Sequence, residues 1–206
     1  MILRIILITI CLGLSVQTAL AAIAPPRPFS GEGLLVIRPF PSRSSEPCCT
    51  LPIYGEPGVE RITDLESSDL PSLTPVIQGR TGEYAAAVTG KKGNWLHIVY
   101  DEAGREGWLK NSRAWEYVTW NHFLKGRAAK LLPGLKKEFY LLRHDPSATA
   151  PQLEVLSRQK NLRIIDVRED WALVLVDLTA YGWLRWRDSD GRFTISIDEK
   201  FDPQKH

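Results

Sequence analysis

Apolar and polar positions alternate through Trp95-Leu96-His97-Ile98-Val99-Tyr100: Leu96, Ile98 and Tyr100 share one face, and Trp95, His97 and Val99 share the other. A period of two predicts a β-strand. Gly93-Asn94 leads into it, and an acidic turn from Asp101 to Gly104 leads out to Gly107-Trp108-Leu109. There Trp108 and Leu109 point to opposite faces. Around this pair the pattern predicts strands at Leu51 to Tyr54, Tyr84 to Val88 and Trp115 to Thr119. Residues 59–82 are polar and broken by Pro71, Pro75, Gly79 and Gly82, so they read as a long loop.

The period then changes. Trp120, Phe123, Leu124, Ala128 and Leu131 form one stripe of an α-helix, with Thr119 placed to cap its start and Pro133-Gly134 to end it. Gly126 lies inside that stripe. Beyond it the strand pattern returns at Phe139 to Arg143, Leu153 to Leu156, Leu162 to Val167, Trp171 to Val176, Tyr181 to Arg185 and Arg192 to Ile197. Trp171 and Trp183 repeat the spacing of Trp95 and Trp108 to within one residue, and Gly182-Trp183-Leu184 repeats Gly107-Trp108-Leu109. In the Trp171 strand both faces are apolar, which predicts a second covering surface, either the connecting helix or the first unit.

The amino-terminal end is of another kind. Arg4 is followed by an uncharged, largely apolar run to Ala24, with Ala19-Leu20-Ala21 as a small-residue cleavage site. This is the pattern of a secretory signal peptide over residues 1–21, which predicts a periplasmic or secreted protein. Left uncleaved, the run is long enough to anchor the chain in a bilayer, the one case that implies a membrane partner. Residues 22–47 are rich in Pro, Gly and Ser and read as a disordered linker, a spacer more than a polyproline ligand. Their one apolar island, Leu34 to Ile37, suggests an edge strand.

Charge and cysteine narrow the picture. The 206 residues hold 26 basic and 24 acidic side chains, a net charge of +2, which gives no electrostatic case for nucleic acid. Export leaves Cys48 and Cys49 as neighbours in an oxidising compartment. A strained vicinal disulfide, a link to another chain and two free thiols all remain open. No second cysteine pair or histidine cluster supplies a metal site, and nothing calls for a cofactor.

Gly93, Trp95, Gly107, Trp108 and Leu109, in an order of strand, long loop, strand, Gly-Asn-Trp strand, turn, Gly-Trp-Leu strand and closing strand, resemble the bacterial Src-homology-3 (SH3) family. Trp171, Gly182, Trp183 and Leu184 carry a looser copy, in which Glu169 and Asp170 replace the Gly-Asn. The resemblance implies a mainly β protein of two small SH3-like barrels. The signal segment and linker come first, then unit one over 48–119, a short helical connector over 120–138, unit two over 139–198 and a tail over 199–206. In the wider family peptides lie on an aromatic-lined groove. Carried over, that groove implies Trp95 and Trp108 as ligand-binding residues, with Tyr54 from the first loop.

The same resemblance implies an exported, non-catalytic binding or adaptor protein of the cell envelope whose partner is a cell-wall peptide or glycan, peptidoglycan included. A subunit that only docks envelope proteins against one another, with no small ligand, is the alternative. Catalysis finds little to build on. Cys48 and Cys49 lack the small-residue context of a nucleophile, His97 lies on the outer side of a strand, and His122 and His144 have ordinary polar neighbours.

Overall fold

The computed structural model describes residues 27–38, 50–73, 76–77 and 83–200. The signal segment and Cys48-Cys49 lie outside these residues. The described chain opens with β1 (Gly33–Ile37), β2 (Thr50–Glu56), β3 (Val59–Glu66), β4 (Tyr84–Lys92), β5 (Trp95–Val99), β6 (Glu106–Lys110) and β7 (Glu116–Thr119). A short helix, α1 (Trp120–Leu124), is followed by β8 (Arg127–Leu131), β9 (Leu141–Arg143) and β10 (Gln152–Val155). The chain then runs through β11 (Leu162–Arg168), β12 (Trp171–Val176), β13 (Ala180–Arg185) and β14 (Ile195–Lys200). The protein is mainly β. Among the described residues no helix is long and apolar enough to cross a membrane.

The strands form two antiparallel sheets of seven. The first has the order β3-β2-β6-β5-β4-β1-β7, the second β10-β9-β13-β12-β11-β8-β14. Each position in the second sheet holds the strand numbered seven later than its counterpart, so one topology occurs twice along the chain. Even the irregularities recur. The β4–β5 ladder skips a residue between Val88 and Gly90, and the β11–β12 ladder skips one between Ile164 and Asp166, a bulge at the same place in each copy.

The Gly-Trp-Leu motif follows from how β2 crosses β6. A Cβ on Gly107 would stand 2.4 Å from Ile53 Cγ2, and one on Gly182 would stand 2.6 Å from Leu142 Cγ. No side chain fits at either crossing. Leu109 and Leu184, two residues on, are fully buried in their cores, and the tryptophans between point outward.

Several expectations from the residue pattern differ here, the first two at equivalent places. Leu34 to Ile37 is no edge strand: β1 pairs with β4 on one side and β7 on the other. The helix stops at Leu124, because Gly126 turns the backbone to φ +77°, and the rest of the predicted stripe becomes β8 between β11 and β14. Thr119 occupies the N-cap with an extended backbone, but its side chain makes no capping bond. The loop predicted over 59–82 begins as β3, paired along its length with β2. Phe139 and Tyr140 belong to a 3-10 turn, and the predicted strand starts at Leu141.

The two copies share a wall. Leu35 and Ile37 of β1 face the first core, with Leu51, Ile53, Leu96, Ile98 and Leu109. Leu34 faces the other way, into a larger cluster that runs through Trp120, Phe123 and Leu124 to the interior of the second copy. At its centre Trp120 meets Phe193 at 5.1 Å between ring centroids and Trp186 at 5.7 Å. Polar contacts tie the strap before β1 to the same place. Trp120 Nε1 donates to Ser30 O at 2.6 Å, and Arg187 Nη1 donates to Gly31 O at 2.8 Å. Arg27 Nη2 reaches Asp188 Oδ2 at 2.7 Å.

Candidate functional site

Alternation places Trp95 and His97 on the outer side of β5 and Trp108 on the outer side of β6, all half-buried. The ladder aligns them: His97 is opposite Trp108, and Trp108 is opposite Tyr54 on β2. The three residues expected to bind ligand, Tyr54, Trp95 and Trp108, therefore come together on one open face of the first sheet. Tyr54 meets the Trp95 ring edge-on, centroids 5.3 Å apart at 85°. Trp108 lies 4.8 Å from the His97 imidazole, tilted by 42°. The Pro57-Gly58 turn closes one end, since a Cβ on Gly58 would lie 3.5 Å from Trp95 Cζ2. The result is a shelf of four rings in two pairs, Trp95 with Tyr54 and Trp108 with His97, set side by side where Tyr54 stands opposite Trp108.

A polar corner holds the far ring. Thr89 Oγ1 lies 2.9 Å from His97 Nδ1 and donates to Glu106 Oε2 at 3.1 Å, while His97 Nδ1 is itself 3.1 Å from that carboxylate oxygen. A proton on Nδ1, with the Thr89 hydroxyl turned to Glu106, satisfies all three contacts. Thr89 is the bulged residue of β4, which is why the alternation of the sequence does not reveal it. The turn joining β5 to β6 is fixed by charge: the Arg105 backbone N–H, and then its guanidinium, hold the Asp101 carboxyl below the usual carboxylate range. Chemically the shelf offers flat apolar area edged by one imidazole and one carboxylate, an arrangement suited to contact with an extended or ring-bearing ligand. Among the described residues no group of three or more His, Cys, Asp or Glu converges as a metal site.

The shared topology allows a position-by-position comparison with the second copy. Trp171 takes the place of Trp95, Leu173 of His97, Trp183 of Trp108, Arg143 of Tyr54 and Ile165 of Thr89. Here one ring is buried and the other, half-buried, has an arginine beside it. Trp183 is buried beneath the Arg168 guanidinium, 5.0 Å from its ring centroid, and Arg185 sits 5.8 Å from the Trp171 centroid. The aromatic shelf is open in the first copy alone.

No protein-family model and no curated protein matches the chain. Among solved structures it is similar to NlpC2 from Trichomonas vaginalis, with 9% identity and a TM-score of 0.34, over 80% of this chain and 48% of that one. It is similar to NlpC1 from the same organism at 9% identity and a TM-score of 0.33, over 82% of this chain and 51% of that one. The chain thus spans about half the length of the structures it matches.

Proposed function

We propose that this is an exported, non-catalytic binding protein of the bacterial cell envelope, built from two small SH3-like barrels. The first presents Tyr54, Trp95 and Trp108 to a peptide or to peptidoglycan. The observation that carries the reading is the shelf itself: residues from β2, β5 and β6, far apart in sequence, bring four half-buried rings onto one open face. A ring needed only for packing is satisfied inside a core, as Trp186 is. Export rests on the charged and apolar pattern of residues 1–21.

Co-sedimentation with purified cell-wall sacculi tests the reading. Trp95→Ala and Trp108→Ala should each weaken retention about tenfold, the scale of one lost aromatic anchor. Leu153→Ala, an exposed apolar residue of the second copy, should leave retention unchanged. Folded Trp95→Ala and Trp108→Ala proteins that sediment like the parent would remove the shelf as a ligand site.

A further inference from the structure

Both faces of β12 are apolar, but only one is covered. Ala172, Val174 and Val176 are buried, while Leu173 and Leu175 stay half-buried beside Ile165 on β11 and Tyr181 on β13. Tyr181 is 71% exposed, and Leu178 in the turn between β12 and β13 is 76% exposed. An open cleft of about 440 Å³ borders this face, with Ala128, Arg163, Leu175 and Leu178 in its walls. Contiguous exposed apolar side chains of this kind mark interaction surfaces.

The same face is basic. Cross-strand rows run Arg163–Leu175–Tyr181, Asp166–Leu173–Trp183–Arg143 and Arg168–Trp171–Arg185, so every row contains an arginine and one also an acid. Asp166 and Asp170, the acids beside these rows, are each shared between two cations, which leaves the face with an excess of positive charge. Asp166 bonds Lys125 at 2.8 Å and stands 3.7 Å from Arg168; Asp170 bonds Arg187 at 2.6 Å and stands 3.8 Å from Arg185. Arg185 Nε is buried and makes no hydrogen bond. Guanidinium forks beside apolar and aromatic side chains suit a partner that carries both carboxylates and exposed apolar groups. A free phosphate or a plain glycan would leave the leucines and Ile165 without a counterpart.

The first copy of the repeat displays such a surface. The β2–β3 hairpin, residues 50–69, carries Glu56, Glu60, Asp64, Glu66 and Asp69, with Arg61 as its one basic side chain, bonded to Asp64. Val59 and Ile62 on the same hairpin are 65% and 48% exposed. We propose that the arginine-bearing outer face of the second sheet receives the acidic β2–β3 hairpin of a second copy of this chain, joining molecules head to tail. The two surfaces differ, so the contact is heterologous and leaves one hairpin and one basic face free at the ends of each assembly. The proposal does not rest on the aromatic shelf and survives its failure.

Sedimentation equilibrium of the protein, expressed from its full coding sequence, tests this with two variants at exposed positions. Arg168→Glu/Tyr181→Glu disables the receiving face, and Glu56→Lys/Glu60→Lys disables the hairpin. The parent should gain mass with concentration and lose it in high salt, as screened charges require. Each variant alone should remain a monomer. Their equimolar mixture should stop at a one-to-one dimer, because the intact hairpin of the first fits the intact face of the second and no further docking pair is left. That recovery also establishes that both variants are folded. A parent that stays monomeric up to its solubility limit, variants that associate like the parent, or a mixture that stays monomeric would each overturn the proposal.

Discussion

Gly107 and Gly182 show how closely single positions control this fold. Beyond the 2.4 Å approach to Ile53 Cγ2, a Cβ on Gly107 would come within 3.3 Å of the Tyr54 carbonyl oxygen. Ile53 is β-branched and fully buried, so its methyl cannot swing aside without leaving a rotamer well. Gly107→Ala should therefore destabilise the protein by about 1–3 kcal/mol, the range for overpacking, read as a lower urea midpoint at unchanged slope. The contact is specific, and a double-mutant cycle isolates it: Ile53→Ala should cost less in the Gly107→Ala background than in the parent. Strict additivity would mean that the close approach relaxes without strain. The same reasoning explains what the sequence reveals of the site. Trp95, His97 and Trp108 are legible as outward residues because a period of two survives in β5 and β6. Thr89 is not, because the bulge that turns it toward His97 leaves no mark in the residue pattern.

At the level of elements, two of the strands misjudged from sequence, β1 and β8, are the same strand of the repeat. Arg127-Ala128-Ala129-Lys130-Leu131 consists of good helix formers, and its local preference is overridden by pairing with β11 and β14. Leu34 to Ile37 is legible as a strand, but its interior position depends on β4 and β7, which no local pattern encodes. The strap ahead of β1 is secured by Asp188. Burial pushes the Asp188 carboxyl up, but the Arg192 backbone N–H, the Arg27 guanidinium and the Asp190 N–H outweigh it and hold the group below its ordinary range. A carboxyl depressed in the folded state contributes stability above its unfolded value of about 3.9, and that contribution is lost as pH falls through the folded value. Asp188→Asn should thus cost about 2 kcal/mol at neutral pH, less than breaking a fully enclosed pair because Arg27 keeps some solvent access. It should also flatten the fall in stability between pH 5 and the acid limit. A variant with the parent's acid slope would show that Asp188 does not carry this dependence.

The whole molecule raises the question of whether two copies of one topology behave as two domains. The first copy has a core of its own, yet the wall it presents to the second is built from the opposite sides of a single strand: Leu35 and Ile37 pack inward, while Leu34 packs into the cluster of Trp120, Trp186 and Phe193. Leu73, Val76 and Ile77 of the first copy join that same cluster, and Ile197 N donates to Val76 O at 2.6 Å across the seam. Loss of the second core would therefore strip one face of β1, the strand that links β4 to β7. The parent should unfold in a single calorimetric transition, with van't Hoff and calorimetric enthalpies in agreement. Trp120→Ala removes the ring at the centre of the seam and its bond to Ser30, at a cost of about 3–5 kcal/mol for a large buried aromatic. That cost falls on the shared cluster and spares the core of Leu51, Ile53, Leu96 and Leu109. The variant should accordingly split into two transitions, the first copy melting last. Two transitions already present in the parent would mean that β1 does not couple the copies.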